Sequence, residues 1–117
     1  MFQDTKMQKP LISIITAVFN GEKNLENTIQ SILNQDYPNI EYIIIDGGST
    51  DGTVEIIKKY ADKIAYWVSE KDKGISDAFN KGILAAKGEY INFQGDGDGF
   101  YAPRSVSQMF ERVNPEQ

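Results

Sequence analysis

Residues 40–53 read Ile40-Glu-Tyr-Ile-Ile-Ile-Asp46-Gly-Gly-Ser-Thr-Asp-Gly-Thr53. A run so apolar and β-branched, with almost no alternation, is what a strand covered on both faces of a parallel sheet looks like. It ends at a carboxylate and passes into residues that favour turns and helix starts. Working outward, Leu11–Val18 is a second run of the same kind, and Ile64–Val68 and Tyr90–Gln94 are two further strand candidates. Their starts lie roughly 25 to 30 residues apart, the length of a βαβ unit.

Helical periodicity fills the gaps. Leu25, Ile29, Ile32 and Leu33 make one apolar stripe, and Val54, Ile57 and Tyr60 a shorter one. Ile75, Ala78, Phe79, Gly82 and Ile83 make a third, with Gly88 as a stop. Pro103 is placed to open a last helix, with Val106, Met109, Phe110 and Val113 as its apolar face. The order β-α-β-α-β-α-β-(α) predicts an α/β fold with a Rossmann-like, doubly wound, mostly parallel sheet. The domain spans residues 10–113, with a loose N-terminus at 1–9 and a loose tail at 114–117.

Composition removes several kinds of chemistry. The chain has 117 residues and no Cys or His, so disulfides, thiolate nucleophiles, Cys/His zinc sites and Ser-His pairs are excluded. Carboxylates, Lys or Arg, hydroxyls, backbone groups and a hard cation remain. A net charge of −5 argues against a general nucleic-acid binder. No apolar run nears the ~18 residues of a membrane span. Met1–Pro10 lacks the apolar centre of a signal peptide, so a cytoplasmic location is expected.

Ligands of open α/β sheets sit beyond the carboxyl ends of the strands. Those ends here carry Thr16–Glu22, Asp46–Thr53, Ser69–Gly74 and Gly95–Phe100, all polar and most rich in Gly or Asp. In the last, Asp96 and Asp98 are one residue apart among three glycines. Two carboxylates turned into one space need a cation or one raised pKa. They read as a divalent metal site, Mn²⁺ or Mg²⁺, holding a diphosphate. An ordinary solvated Asp-Gly turn is the alternative. Asp46, ending a buried strand, is expected at the rim of the site as an acceptor for a base or ribose, while Ser49, Thr50 and Asp51 are expected to cap the following helix. Asp77 and Asn80 share one helix face. The charge cluster before that helix reads equally well as a solvated face.

Of three look-alikes, two fail and the dinucleotide fingerprint is weak. An EF-hand loop through Asp96 and Asp98 would put Gln94 and Ser105 where Asp and Glu are required. Gly97-x-Gly99-x-x-Ala102 copies a dinucleotide fingerprint, but follows the wrong strand and faces a pyrophosphate with two carboxylates. A receiver domain needs an acidic pair after the first strand, where this chain has Val18-Phe19-Asn20.

Taken together, Leu11–Glu22, Gln35–Glu41, Ile45–Thr53, Asp72–Gly82 and Gly88–Phe93 resemble the N-terminal, nucleotide-sugar-binding half of the family 2 glycosyltransferases, in that family's order and spacing. The resemblance implies a GT-A fold truncated before the acceptor-binding half. It implies that Thr16, Ala17 and Phe19 line the base and ribose pocket, that Glu22 contacts the nucleotide and that Asp46 lies near the base. Asp72 and Lys73 would border the nucleotide, Asp77 and Asn80 would face the sugar and phosphates, and Asp96 and Asp98 would form the Asp-x-Asp element on the metal. The implied reaction is metal-assisted, inverting transfer from a nucleoside diphosphate sugar, a UDP-sugar first, to the hydroxyl of a glycan or lipid-linked acceptor, in work such as polysaccharide biosynthesis.

Three departures accompany the resemblance. Gly47 stands where the family often has a second Asp. Gln94, Gly95 and Gly97 replace three residues of the family's usual string around the metal. The chain ends at Gln117, before the region where the family keeps its acceptor half and catalytic base. This chain is therefore expected to supply donor binding only, with the base beyond its end and an apolar edge that favours self-association. A non-catalytic nucleotide- or partner-binding module that retains the fold is the alternative.

Overall fold

The structure of the protein is a computed structural model that describes residues 10–95. It contains β1 (Ile12–Val18), α1 (Leu25–Leu33), β2 (Ile40–Asp46), α2 (Thr53–Lys59), a single 3-10 turn (Ala61–Lys63), β3 (Tyr66–Ser69), α3 (Ile75–Ala85) and β4 (Tyr90–Phe93). The helix expected from Pro103, both termini, Asp96 and Asp98 lie outside the described residues.

The four strands form one sheet in the order β3-β2-β1-β4. Every pairing is parallel, with Ile15 opposite Ile43 in β2 and Phe93 in β4, and Ile43 opposite Tyr66 in β3. The chain steps outward from β1 to β2 to β3, then returns to the far side of β1 for β4. Right-handed crossovers place the first two helices on one face and, once the direction reverses, the third on the other. The sheet is thus doubly wound, with its point of reversal between β1 and β4.

The period of two along each strand sorts the core into two layers. Ile12, Ile14 and Val18 of β1 and Tyr42 and Ile44 of β2 pack with Leu25, Ile29 and Ile32 of α1 and Ile57 of α2. The alternate residues, Ile15, Ile43 and Ile45, pack against Ala78 of α3. Ile43, Ile44 and Ile45 are all fully buried, as expected for a central strand sandwiched between helices. Each such side chain contributes about 1.5–3 kcal/mol through burial.

The third strand begins two residues later than the sequence predicts. Ile64 is buried in the α1/α2 layer and closes the 3-10 turn through its N–H to Ala61, so pairing with β2 starts beyond it. At the opposite end of the sheet, Ser13 Oγ–H donates to Glu41 Oε1 at 2.6 Å and accepts the Gly88 N–H at 2.9 Å. This half-buried bridge pins the entry to β4 beside β1.

Candidate functional site

Because the strands are parallel, β1, β2 and β3 release their loops at one edge of the sheet. A cavity of about 580 Å³ opens there. Ala17, Val18 and Phe19 line it from the end of β1, Gly47 and Gly48 from the turn after β2, Lys71, Asp72 and Gly74 from the loop after β3, and Ala78 from α3. Phe19 is 62% exposed, an aromatic ring with a free face beside the cavity. The Gln94 N–H donates to Ile15 O at 2.9 Å, so the chain leaves β4 toward the same edge.

The loops after β1 and β2 are laced into one unit. Asn20 adopts φ +49°, a left-handed conformation that Asn tolerates better than most residues. Its N–H donates to Ser49 Oγ at 2.7 Å, and its Oδ1 accepts the Thr50 N–H at 2.8 Å. Gly21 N–H donates to Thr53 Oγ1 at 2.9 Å, and Glu22 Oε1 accepts the Gly52 N–H at 2.6 Å. Glu22 therefore spends an oxygen on the loop and does not line the cavity. Asp51 accepts the Thr53 N–H at the start of α2, together with the Thr53 hydroxyl. That hydroxyl, ahead of the backbone donors, holds the Asp51 carboxyl below the usual aspartate range. Of the three residues expected to cap α2, only Asp51 takes a donor from the helix start; Ser49 and Thr50 bond across to Asn20.

Asp46 differs most from the sequence expectation. Its carboxylate is 0% exposed. Oδ2 accepts the N–H groups of Gly48 (3.1 Å) and Ser49 (2.8 Å) and the hydroxyl of Ser69 (2.7 Å), while Oδ1 accepts the Ser49 hydroxyl. Four donors consume it, and it holds the ends of β2 and β3 together beneath the cavity instead of standing at the rim. The reason is parity: Asp46 shares the side of β2 that carries Tyr42 and Ile44, the side packed against α1 and α2, whereas the cavity is walled by Ala78 of α3 on the other. Thr16 is likewise buried, its Oγ1 2.9 Å from the Tyr42 hydroxyl.

The loop entering α3 is held by its own carboxylates. Asp72 Oδ1 accepts the Gly74 N–H at 3.0 Å, and Asp77 Oδ2 accepts the Lys73 N–H at 3.0 Å. Gly74 has φ +119°, a conformation that favours glycine. Lys81 bridges Glu70 at 3.0 Å and lies 3.9 Å from Asp77. The Glu70 carboxylate raises the Lys81 pKa, so the ammonium stays charged. Lys73 and Asn80 are exposed and do not line the cavity.

Of the residues expected to contact a nucleotide, the structure brings Ala17, Phe19 and Asp72 to one cavity. Thr16, Glu22, Asp46 and Asp77 lie around it in bonds that shape its walls. Val18, Gly48, Lys71, Gly74 and Ala78 line it without having been singled out. Their signals were a glycine after each of two strands, a lysine next to Asp72, and a small residue in an apolar helical stripe; Val18 carried none beyond ending its strand. No group of three or more carboxylates gathers to hold a metal among the described residues. No described helix is long and apolar enough to cross a membrane.

A parallel, doubly wound sheet with a cavity at the carboxyl edge of its strands is the arrangement of the GT-A glycosyltransferases, and solved members of that class superpose on it. A mannosyltransferase of Pyrobaculum calidifontis, solved in complex with GDP-Man and Mn²⁺, matches with a TM-score of 0.83 at 24% identity, over 91% of this chain and 33% of its own. The family model for glycosyl transferase family 2 matches residues 13–117, and the chain belongs to that family. It is 40% identical over 106 residues to an uncharacterized glycosyltransferase of Mycobacterium tuberculosis, covering 90% of this chain and 40% of that protein. It is 46% identical over 99 residues to another from Haemophilus influenzae, covering 82% of this chain and 39% of that protein. The chain spans about two fifths of the length of these relatives.

Proposed function

We propose that this chain is the donor-binding part of a glycosyltransferase, taking a nucleoside diphosphate sugar into the cavity at the carboxyl edge of the sheet. The carrying observation is the chemistry of that cavity. Its walls at Ala17, Val18, Phe19 and Ala78 are apolar, two glycines bring the backbone close, and one carboxylate, Asp72, is offered. That suits a flat base with a few polar edges, and about 580 Å³ is within the usual range for a small-molecule site. The uridine nucleotide is the first candidate. Lys73, just before α3, would border the nucleotide, and Asp77 and Asn80, within that helix, would face the sugar and phosphates.

In the transfer, an acceptor hydroxyl attacks the anomeric carbon as the bond to the diphosphate oxygen breaks. The hydroxyl proton passes to a carboxylate base. The family resemblance supports an inverting outcome. Two carboxylates one residue apart offer hard oxygen ligands, so Asp96 and Asp98 are the residues that would hold Mn²⁺ or Mg²⁺. Such an ion would stabilise negative charge on the departing diphosphate. The preceding residue, Gly95, follows a strand that runs toward the cavity edge. Polysaccharide assembly on the cytoplasmic side, with a glycan or lipid-linked acceptor, is the role that fits this reading.

The test is calorimetric titration of the chain with UDP, GDP and dTDP, each with Mn²⁺ and with chelator, repeated on Asp98→Ala. Micromolar binding of one nucleotide, about −8 kcal/mol, that collapses with chelator and with the substitution supports the reading. A folded chain that binds no nucleotide at millimolar concentration overturns it and leaves a partner-binding module.

A further inference from the structure

Asp72 is the only carboxylate that lines the cavity among the described residues. Its Oδ1 is occupied by the Gly74 N–H at 3.0 Å. No hydrogen bond from another described residue reaches Oδ2. The carboxylate rests over Gly47: a Cβ at that position would stand 3.0 Å from Oδ2 and 3.2 Å from Oδ1. Any side chain at 47 would push the carboxylate away, so glycine there and Asp72 in its present place belong together. The other carboxylate at this edge, Asp46, is fully buried and already accepts four donors.

We infer that Asp72 determines which base is bound, with Oδ2 accepting the ring N–H of a uracil-type base over the bare backbone of Gly47. This rests on the nucleotide-sugar reading above and names the group that chooses within it. A carboxylate only accepts. Against cytosine N3 or adenine N1, both acceptors, it would meet a lone pair with a lone pair. Guanine presents two parallel donors and is matched by two free oxygens. Here one oxygen is held by Gly74, and a single free acceptor matches the single imide N–H of uracil. Ala17 and Phe19 supply apolar wall beside that bond.

The experiment is calorimetric titration of the chain in Mn²⁺ with UDP, N3-methyl-UDP, CDP and GDP. It is run on the unsubstituted protein, Asp72→Ala and Gly47→Ala, with thermal melts by circular dichroism to establish that each is folded. A hydrogen bond to a charged acceptor is worth about tenfold to hundredfold in affinity. The unsubstituted protein is expected to prefer UDP to the N3-methyl analogue and to CDP by that factor. Asp72→Ala should weaken UDP by a similar factor and bind UDP and N3-methyl-UDP equally. Gly47→Ala should move both quantities the same way. An unchanged UDP to N3-methyl-UDP ratio in Asp72→Ala, or tighter GDP than UDP in the unsubstituted protein, overturns the inference while leaving the nucleotide site intact. Absence of binding by all four nucleotides overturns the nucleotide reading itself, and the inference with it.

Discussion

Gly82 of α3 lies directly on Ile15 of β1: a Cβ at position 82 would come 2.5 Å from Ile15 Cγ2 and 3.0 Å from its Cδ1. The helix reaches the sheet this closely because one residue has no side chain. That contact sets the height of α3 above β1 and β2, and through Ala78 the depth of the cavity wall.

Gly82→Ala is expected to destabilise the protein, although alanine is the better helix former by about 1 kcal/mol. Overpacking of about 1–3 kcal/mol outweighs that gain, since the nearest atoms belong to a fully buried isoleucine. Ile15→Ala opens the same space, so the double variant should be more stable than the sum of the two losses predicts. Urea unfolding of the four proteins checks it, and additive losses would refute the contact.

Asp46→Ala should cost about 3 kcal/mol of folding stability, because it leaves half-buried donors from Gly48, Ser49 and Ser69 without their acceptor. Asp72→Ala, at a half-exposed loop position, should cost less than about 1 kcal/mol. The same urea measurement separates them. A small loss for Asp46→Ala would return that carboxylate to the rim of the site.

Phe19→Ala should leave stability within about 0.5 kcal/mol, since the ring is largely exposed. If the base stacks on it, nucleotide affinity should fall by about 1–3 kcal/mol. Equal affinities by calorimetry would remove Phe19 from the site.

Acid should unlace the loops after β1 and β2. Asp51 is held below the ordinary aspartate value by the Thr53 hydroxyl, and Glu26 below the glutamate value by Lys59 and Tyr60. A carboxylate with a depressed folded pKa stabilises the native state above its unfolded value of about 4, and that stability is lost as pH falls through the folded value. Unfolding midpoints should therefore drop below about pH 4. Asp51→Asn should flatten part of the slope, leaving the share of Glu26. An unchanged slope in Asp51→Asn would refute the role given to that carboxylate.

Much of this architecture was legible before any coordinates. The uninterrupted isoleucines of β2 announced a strand buried on both faces, and its bounds match the structure at both ends. The stripe of Leu25, Ile29, Ile32 and Leu33 announced α1, and its first three residues are buried, with Thr28 beside them and Leu33 half-buried. The boundary of β3 was less legible. Ile64 looks like strand, but the 3-10 turn takes it into the α1/α2 layer, and only pairing with β2 decides where β3 begins. The site was legible as loops more than as atoms. Ala17, Phe19 and Asp72, taken from three separate motifs, line one cavity. Asp46 turned inward because side-chain direction follows strand parity and available donors, which the residue's identity does not reveal.

What the sequence determined by itself was the succession of elements, the family, and the chemistry left to a chain without cysteine or histidine. These depend on local periodicity and on residue types, and both can be read along one dimension. The tertiary structure alone decided the strand order, the lacing of Asn20 to Ser49 and Thr50, the inward turn of Asp46, and the contact of Gly47 with Asp72. Each joins residues far apart in the chain, and their meeting depends on register, crossover hand and packing distance, quantities that arise only when the sheet and its helices close on one another.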